Sequence, residues 1–369
     1  MTSRENALRS LTACLRASPS LAGETPPRVR DHDWPAVISL ANEFLLGPAL
    51  YAAFSASDAL PGVPDDVREY LRHLYQSNRR RNRIVRRQLY EIVDAFNRAD
   101  IVPLLLKGAL TLVASPRVDF GSRMMADIDI AVPRQAETAA IDALQRLGYA
   151  VCSRYPSGHH AYAEFMRDGD PASVDLHFEL IDQHYVLPAG EVWLRSRPAM
   201  GSGGTTFRCP WPTHRVLHNV LHAQVHYRGA YYRASLDLRQ LHEFAVLAKG
   251  YGAAIHWEYV RDRLQRHKLI APFQSYMWAA HVLFGTPWPY HEDAEMPVRI
   301  HYWLCRAQLR HPILRKFAVP WGNLGAAFAW HRMTAKYDAL GHRRRRLHHA
   351  RRVLSTHPLS FVFARLFRS

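Results

Sequence analysis

The period of the hydrophobic positions changes along this chain, and the changes divide it into three stretches. Over residues 1–98 the period is helical. The opening MTSRENALRSLTACLRASPS interleaves Leu with Arg and Glu and lacks a continuous apolar run, so it predicts an amphipathic helix rather than a signal peptide. Prolines near positions 26–27, 35 and 61–64 mark breaks. Val63-Pro64-Asp65-Asp66 then reads as the start of a long helix, with carboxylates in its first turn and Leu71, Leu74, Ile84, Leu89, Ile92, Val93 and Phe96 following at helical spacing. Arg79, Arg80, Arg81, Arg83, Arg86 and Arg87 on that helix fit a solvated face, with a phosphate-facing role as the alternative.

Between residues 99 and 187 the texture shortens. Ile101 to Leu106 is an apolar run of strand length that ends at Lys107-Gly108, read as a glycine turn. A small-residue helical stretch follows, then Asp127-Ile128-Asp129-Ile130-Ala131-Val132 with period two, stopped by Pro133. Gln135 to Leu147 is helical, and Ala161–Met166 and Ser173–Leu180 are strand-like on either side of the turn Arg167–Pro171. This order describes an α+β protein: a small mixed sheet flanked by N-terminal and C-terminal helical regions. Residues 188–369 form the third stretch. It holds Gly201-Ser202-Gly203-Gly204, which fits a hairpin turn and matches neither glycine-rich phosphate motif, and is mainly helical from Pro212 onward.

Composition narrows the function classes. With 48% hydrophobic and 22% charged residues the chain can bury a real core. Its net charge of +16 implies an anionic partner, although an arginine-rich composition also follows from genomic base bias. Cys14, Cys152, Cys209 and Cys305 are too scattered for a CxxC site or a disulfide framework, which suits a reducing cytoplasm. No apolar run has transmembrane length. The basic stretch Gly341–Arg352 and the tail Phe361–Arg368 read either as a solvated or partner-facing helix or as a contact for an anionic membrane surface or nucleic acid.

The candidate chemistry is acidic. On a strand, Asp127 and Asp129 point to one face while Ile128 and Ile130 point to the other. Paired carboxylates repel unless a cation or proton intervenes, and Mg²⁺ or Mn²⁺ with substrate phosphate oxygens is the usual solution. Asp175, in Ser173-Val174-Asp175-Leu176-His177, joins them if its strand pairs beside the first, and His177 on the same strand face then orients Asp175 or the acceptor. Such a triad suits phosphoryl or nucleotidyl transfer, with Lys107 as a point charge and Gly108 as an open approach for phosphate, unless Lys107 is merely an exposed turn residue. Arg123 either contacts triphosphate oxygens or neutralises the acidic pair. His214, His218, His222 and His226 form a helical stripe with no HExxH and no Glu or Cys to complete a zinc site. That stripe reads as a packing face, or as one that brings His222 or His226 to a substrate pocket. Asp237 pairs with one of them, lines that pocket, or forms a structural ion pair.

The ordered set Leu104-Leu105-Leu106-Lys107-Gly108, Arg123, Asp127-Ile128-Asp129-Ile130-Ala131-Val132 and Val174-Asp175-Leu176-His177 closely resembles an uncharacterised bacterial nucleotidyltransferase family of the polymerase-β-like superfamily. The likeness continues through Leu217-His218, Leu221-His222, His226 and Leu236-Asp237-Leu238, covering roughly residues 90–250. It implies metal binding by Asp127, Asp129 and Asp175, with Asp175 polarising the acceptor hydroxyl. The implied reaction moves a nucleoside monophosphate from an NTP, with ATP the expected donor, onto a small molecule, a peptide or protein, or an RNA end. The competing expectation is an inactive nucleotide- or nucleic-acid-binding module on the same fold. One departure stands out: Lys107-Gly108-Ala109 replaces the superfamily's Gly-Gly or Gly-Ser and lies further from the acidic pair, which leaves the mode of triphosphate binding open.

Overall fold

A computed structural model describes residues 3–329, apart from residue 19, residues 22–31, residue 58, residues 114–118, 156–158, 227–228 and 290–293, and residue 328. The basic stretch and tail beyond position 340 lie outside the described residues.

Helices α1 (Ser3–Arg16), α2 (Trp34–Glu43) and α3 (Gly47–Ala56) pack on one another and lead into α4 (Asp65–Arg98). The helix expected at the N-terminus forms because Ala7, Leu8, Leu11, Cys14 and Leu15 fall on one buried side. Asp33 starts α2 by accepting a hydrogen bond from the Ala36 N–H. The first turn of α4 carries Asp65 and Asp66, as its sequence predicts, and the helix runs 34 residues, roughly 50 Å at the standard rise per residue.

Seven strands build one sheet: β1 (Leu104–Leu105), β2 (Asp127–Ala131), β3 (Ala150–Arg154), β4 (Ala161–Met166), β5 (Ser173–His177), β6 (Arg197–Met200) and β7 (Thr206–Cys209), in the spatial order β3-β4-β5-β2-β1-β7-β6. Strand β2 runs parallel to β5 and antiparallel to β1, and β1 runs parallel to β7. The strand read over Ile101–Leu106 contracts to two residues, because Lys107 takes a positive φ of 40° and α5 (Lys107–Val113) begins there. Gly201–Gly204 does connect an antiparallel pair, β6 and β7, with Gly203 and Gly204 at positive φ. Those two strands and β3 enlarge the sheet beyond the strands legible in the sequence.

The sheet is covered on both faces. Ile128, Ile130 and Val132 join Leu105, Val174 and Leu176 in a core closed by α4, through Val85, Leu89, Ile92, Val93 and Phe96, and by α6 (Glu137–Arg146). Leu104 and Ala131 face the other way, into a core shared with α7 (Ala189–Arg195), α8 (Pro212–Gln224), α9 (Leu238–Tyr251), α10 (Trp257–Arg266), α11 (Ile270–Phe284) and α12 (Met296–Arg310); α13 (Ile313–Ala327) packs on α12. Strand alternation sends Asp127 and Asp129 to the same side as Ala131, toward α8.

Candidate active site

Register brings the acidic residues together. In the parallel β2–β5 pair Asp129 lies opposite Asp175 and Ala131 opposite His177, while Asp127 sits at the open end of β2 opposite Ser173. Asp129 is only 2% exposed, a burial that costs a lone carboxylate several kcal/mol unless it is paired. Two donors meet its Oδ1: Lys107 Nζ at 2.7 Å and His177 Nε2 at 3.1 Å. Burial pushes the Asp129 carboxyl up, but the Lys107 ammonium and His177 outweigh it and hold the group well below the usual carboxylate range. His177, expected to orient Asp175 or the acceptor, has its hydrogen bond to Asp129 rather than to Asp175.

Asp127 and Asp175 lack such compensation. Burial, then the Asp129 charge, raises Asp127. Burial lifts Asp175 to about 6, with Asp129 and Asp127 adding to the rise and His177 opposing it. Tyr155 Oη lies 3.4 Å from Asp175 Oδ1. Lys107 and, at longer range, Arg123 act on these carboxylates, and a small divalent cation would add to that compensation. Asp129, Asp175 and His177 each present a ligand atom within 4.8 Å of the others, a group that could hold a metal ion; Asp127, expected as a ligand, is not part of it.

Gly108 and Arg123 form a second pair of neighbours. A Cβ at Gly108 would stand 2.2 Å from Arg123 Nη1 and 2.8 Å from Met125 Cε, so the space opened by the glycine admits the guanidinium. Arg123 Nη2 donates to both carboxylate oxygens of Glu243 on α9, at 3.0 and 2.9 Å. The Glu243 charge raises the Arg123 pKa against the opposing effect of burial, with smaller contributions from Asp129 and Asp127. The loop carrying Arg123 is fastened by α4: Asn78 Nδ2 donates to the Gly121 and Arg123 carbonyls at 2.8 and 2.9 Å, Asn82 Nδ2 to those of Phe120 and Arg123 at 2.9 and 2.7 Å, and Arg81 to that of Met125. Arg81 thus leaves the solvated row expected of its neighbours. Gly108→Ala should displace Arg123 and lower stability by about 1–3 kcal/mol, the usual cost of overpacking; urea unfolding at matched m-values measures it.

The histidine stripe divides between two environments. His214 Nε2 lies 3.2 Å from Tyr259 Oη and 3.8 Å from Glu191, and burial lowers its pKa to about 4. Burial, reinforced by the Lys107 charge, takes His218 and His222 well below the imidazole range, so both are neutral beside the acidic centre. Lys107, Arg123, His218 and His222 share a narrow cleft, and His222 and His226 continue into a cavity of about 1070 Å³ also lined by Asp237, Arg239, Arg315 and Lys316. Asp237 caps α9, accepting from the Gln240 N–H at 3.1 Å. Sequence reading missed Glu243, His160 and Asp182. His160 Nδ1 is 2.7 Å from Asp182 Oδ1, and the rings of His160 and His177 are 5.2 Å apart. The adjacent His159-His160 was a visible signal; the carboxylate that holds it, 22 residues on, was not.

A mixed sheet carrying a carboxylate cluster, roofed by helices that bring in histidines and a large cavity, is a setting suited to transfer of phosphorus-bearing groups. The chain belongs to the family described as uncharacterised nucleotidyltransferase, whose model matches residues 30–285. Comparison with curated proteins and with solved structures finds no match. Among the described residues, no helix is long and apolar enough to cross a membrane.

Proposed function

We propose that the protein is a metal-dependent nucleotidyltransferase of polymerase-β-like type that moves a nucleoside monophosphate from an NTP, ATP foremost, to a nucleophilic acceptor and releases pyrophosphate. The observation that carries this reading is the side-by-side placement of Asp129 and Asp175 with Asp127 two residues away on the same strand face. Asp127, Asp129 and Asp175 would hold Mg²⁺ or Mn²⁺. Bound there, the ion would supply charge neutralisation for the polyphosphate and the leaving pyrophosphate.

The chain's own groups do the rest. Lys107, at the N-terminus of α5 and in contact with Asp129, supplies a fixed positive charge toward the polyphosphate. Arg123 lines the cleft with its position fixed by the Glu243 carboxylate, which offsets its charge, so it needs no immobilisation on binding. Asp175, whose environment favours its protonated form more than that of an exposed carboxyl, accepts or orients the proton of the attacking hydroxyl. The cavity beyond His222 and His226 has room for the acceptor. Incubation with α-labelled NTPs and host lysate should yield a labelled product that requires the metal. Bound NTP with no pyrophosphate released under any acceptor would favour an inactive binding module instead.

A pH dependence follows from Asp175. Its folded pKa of about 6 lies above the ordinary value of 3.8, so the folded state prefers the proton. The stability this confers is present at low pH and is lost as pH rises between those values, and above them the ionised cluster is strained unless a cation binds. Added Mg²⁺ should therefore raise Tm at about pH 7.5 and have little effect near pH 5. Equal shifts at both pH values, measured by differential scanning fluorimetry, would contradict the assignment.

A further inference from the structure

We propose that His159, His160, Asp182 and His226 form a second metal site, one that takes a nitrogen-preferring first-row transition ion such as Zn²⁺. The site is separate in chemistry from the carboxylate centre and does not depend on the proposed transfer reaction.

Geometry supports it first. His159, His160 and Asp182 each offer a ligand atom within 4.8 Å of the others. The two oxygens of Asp182 face different imidazoles: Oδ1 lies 2.7 Å from His160 Nδ1, and Oδ2 lies 3.4 Å from His226 Nδ1. The rings of His160 and His226 meet edge to face with centroids 4.7 Å apart. Three imidazoles and one carboxylate are a donor set suited to a borderline-soft ion, whereas Mg²⁺ prefers the oxygen donors that Asp127, Asp129 and Asp175 would offer.

Support for the ligands is also present. His159 Nδ1 lies 3.1 Å from the Ala161 amide nitrogen and 3.3 Å from its carbonyl oxygen, and the ring stacks on Tyr155 at 4.4 Å, contacts that hold the ring in place. Asp182 forms its described ion-pair contacts with imidazoles alone, one on each carboxylate oxygen. His159 and His160 lead into β4, Asp182 follows β5, the strand paired with β4, and His226 lies just past the end of α8. An ion here would clamp those segments into one wall between the carboxylate centre, reached through His177, and the large cavity, reached through His226.

The test uses the full chain with any affinity tag removed, stripped by chelator and then titrated with Zn²⁺ and with Co²⁺. Binding of one ion per chain is expected, with the intense visible bands of a four-coordinate Co²⁺ site. His160→Ala and Asp182→Asn should weaken Zn²⁺ binding by at least about tenfold, while Asp127→Asn leaves it unchanged. His159→Gln, on a partly exposed residue, serves as the milder variant if circular dichroism shows the others misfolded; it should also weaken Zn²⁺. Failure of the wild-type chain to bind either ion would overturn the site, as would loss of the ion in Asp127→Asn with retention in His160→Ala. Neither result bears on the transfer reaction, which is read separately from labelled product.

Discussion

Asp129→Asn is expected to abolish transfer and also to cost about 3–5 kcal/mol of folding stability, the usual price of breaking a buried ion pair. Asp127→Asn should abolish transfer alone. Both changes preserve side-chain volume and remove an anionic metal ligand, so chemistry suffers equally. Stability separates them because Asp129 is buried and answers the Lys107 ammonium at 2.7 Å and His177 at 3.1 Å, whereas Asp127 is half-buried at the strand's open end. In the Asp129→Asn variant the lysine charge stays in the interior without its carboxylate. Chemical denaturation of both variants, with the Lys107→Met/Asp129→Asn double variant as a third point, checks the argument: the double variant should recover much of the lost stability and none of the activity. Equal stability of the two single variants would show that the Lys107–Asp129 contact is not what holds the site.

Asp175→Asn should separate binding from chemistry. Asp127 and Asp129 remain to hold the nucleotide with its cation, so calorimetric NTP binding should persist. The group proposed to take the acceptor proton is lost, and kcat should fall by at least roughly a hundredfold, the lower end of general-base contributions. Single-turnover transfer at saturating NTP reads the chemical step directly. Lost binding with normal single-turnover chemistry would assign Asp175 to the nucleotide instead. The fold should tolerate the change, because the raised carboxyl pKa of Asp175 already favours a neutral group at that position.

What the sequence made legible was local. Alternation in Asp127–Val132 placed the two aspartates on one face, and the full burial of Ile128 and Ile130 on the other agrees. The long helix beginning at Asp65, the strand over Ala161–Met166 and the Gly201–Gly204 turn were also readable, since each rests on capping, period or turn chemistry within a few residues. Distant partnerships were not. Opposition of Asp129 and Asp175 depends on the register of two strands far apart in the chain, and nothing in either segment specifies it. Arg123 finds Glu243 120 residues away, and His160 finds Asp182 in a segment without regular structure. Strand β3 escaped notice because its residues are largely exposed and carry no apolar alternation.

Helix α4 has a consequence for how the protein comes apart. Leu71, in its first half, lies in the core built by the surrounding helices, and Val85 to Phe96, in its second, lie in the core beneath the sheet. Neighbouring turns of one continuous helix melt cooperatively, which couples the two cores through α4. The two should lose structure in a single cooperative transition, and amide protons of Leu71 and Ile92 should exchange through the same global opening. The large cavity and the carboxylate centre thereby share one lifetime, set by a rod that carries none of the proposed metal ligands.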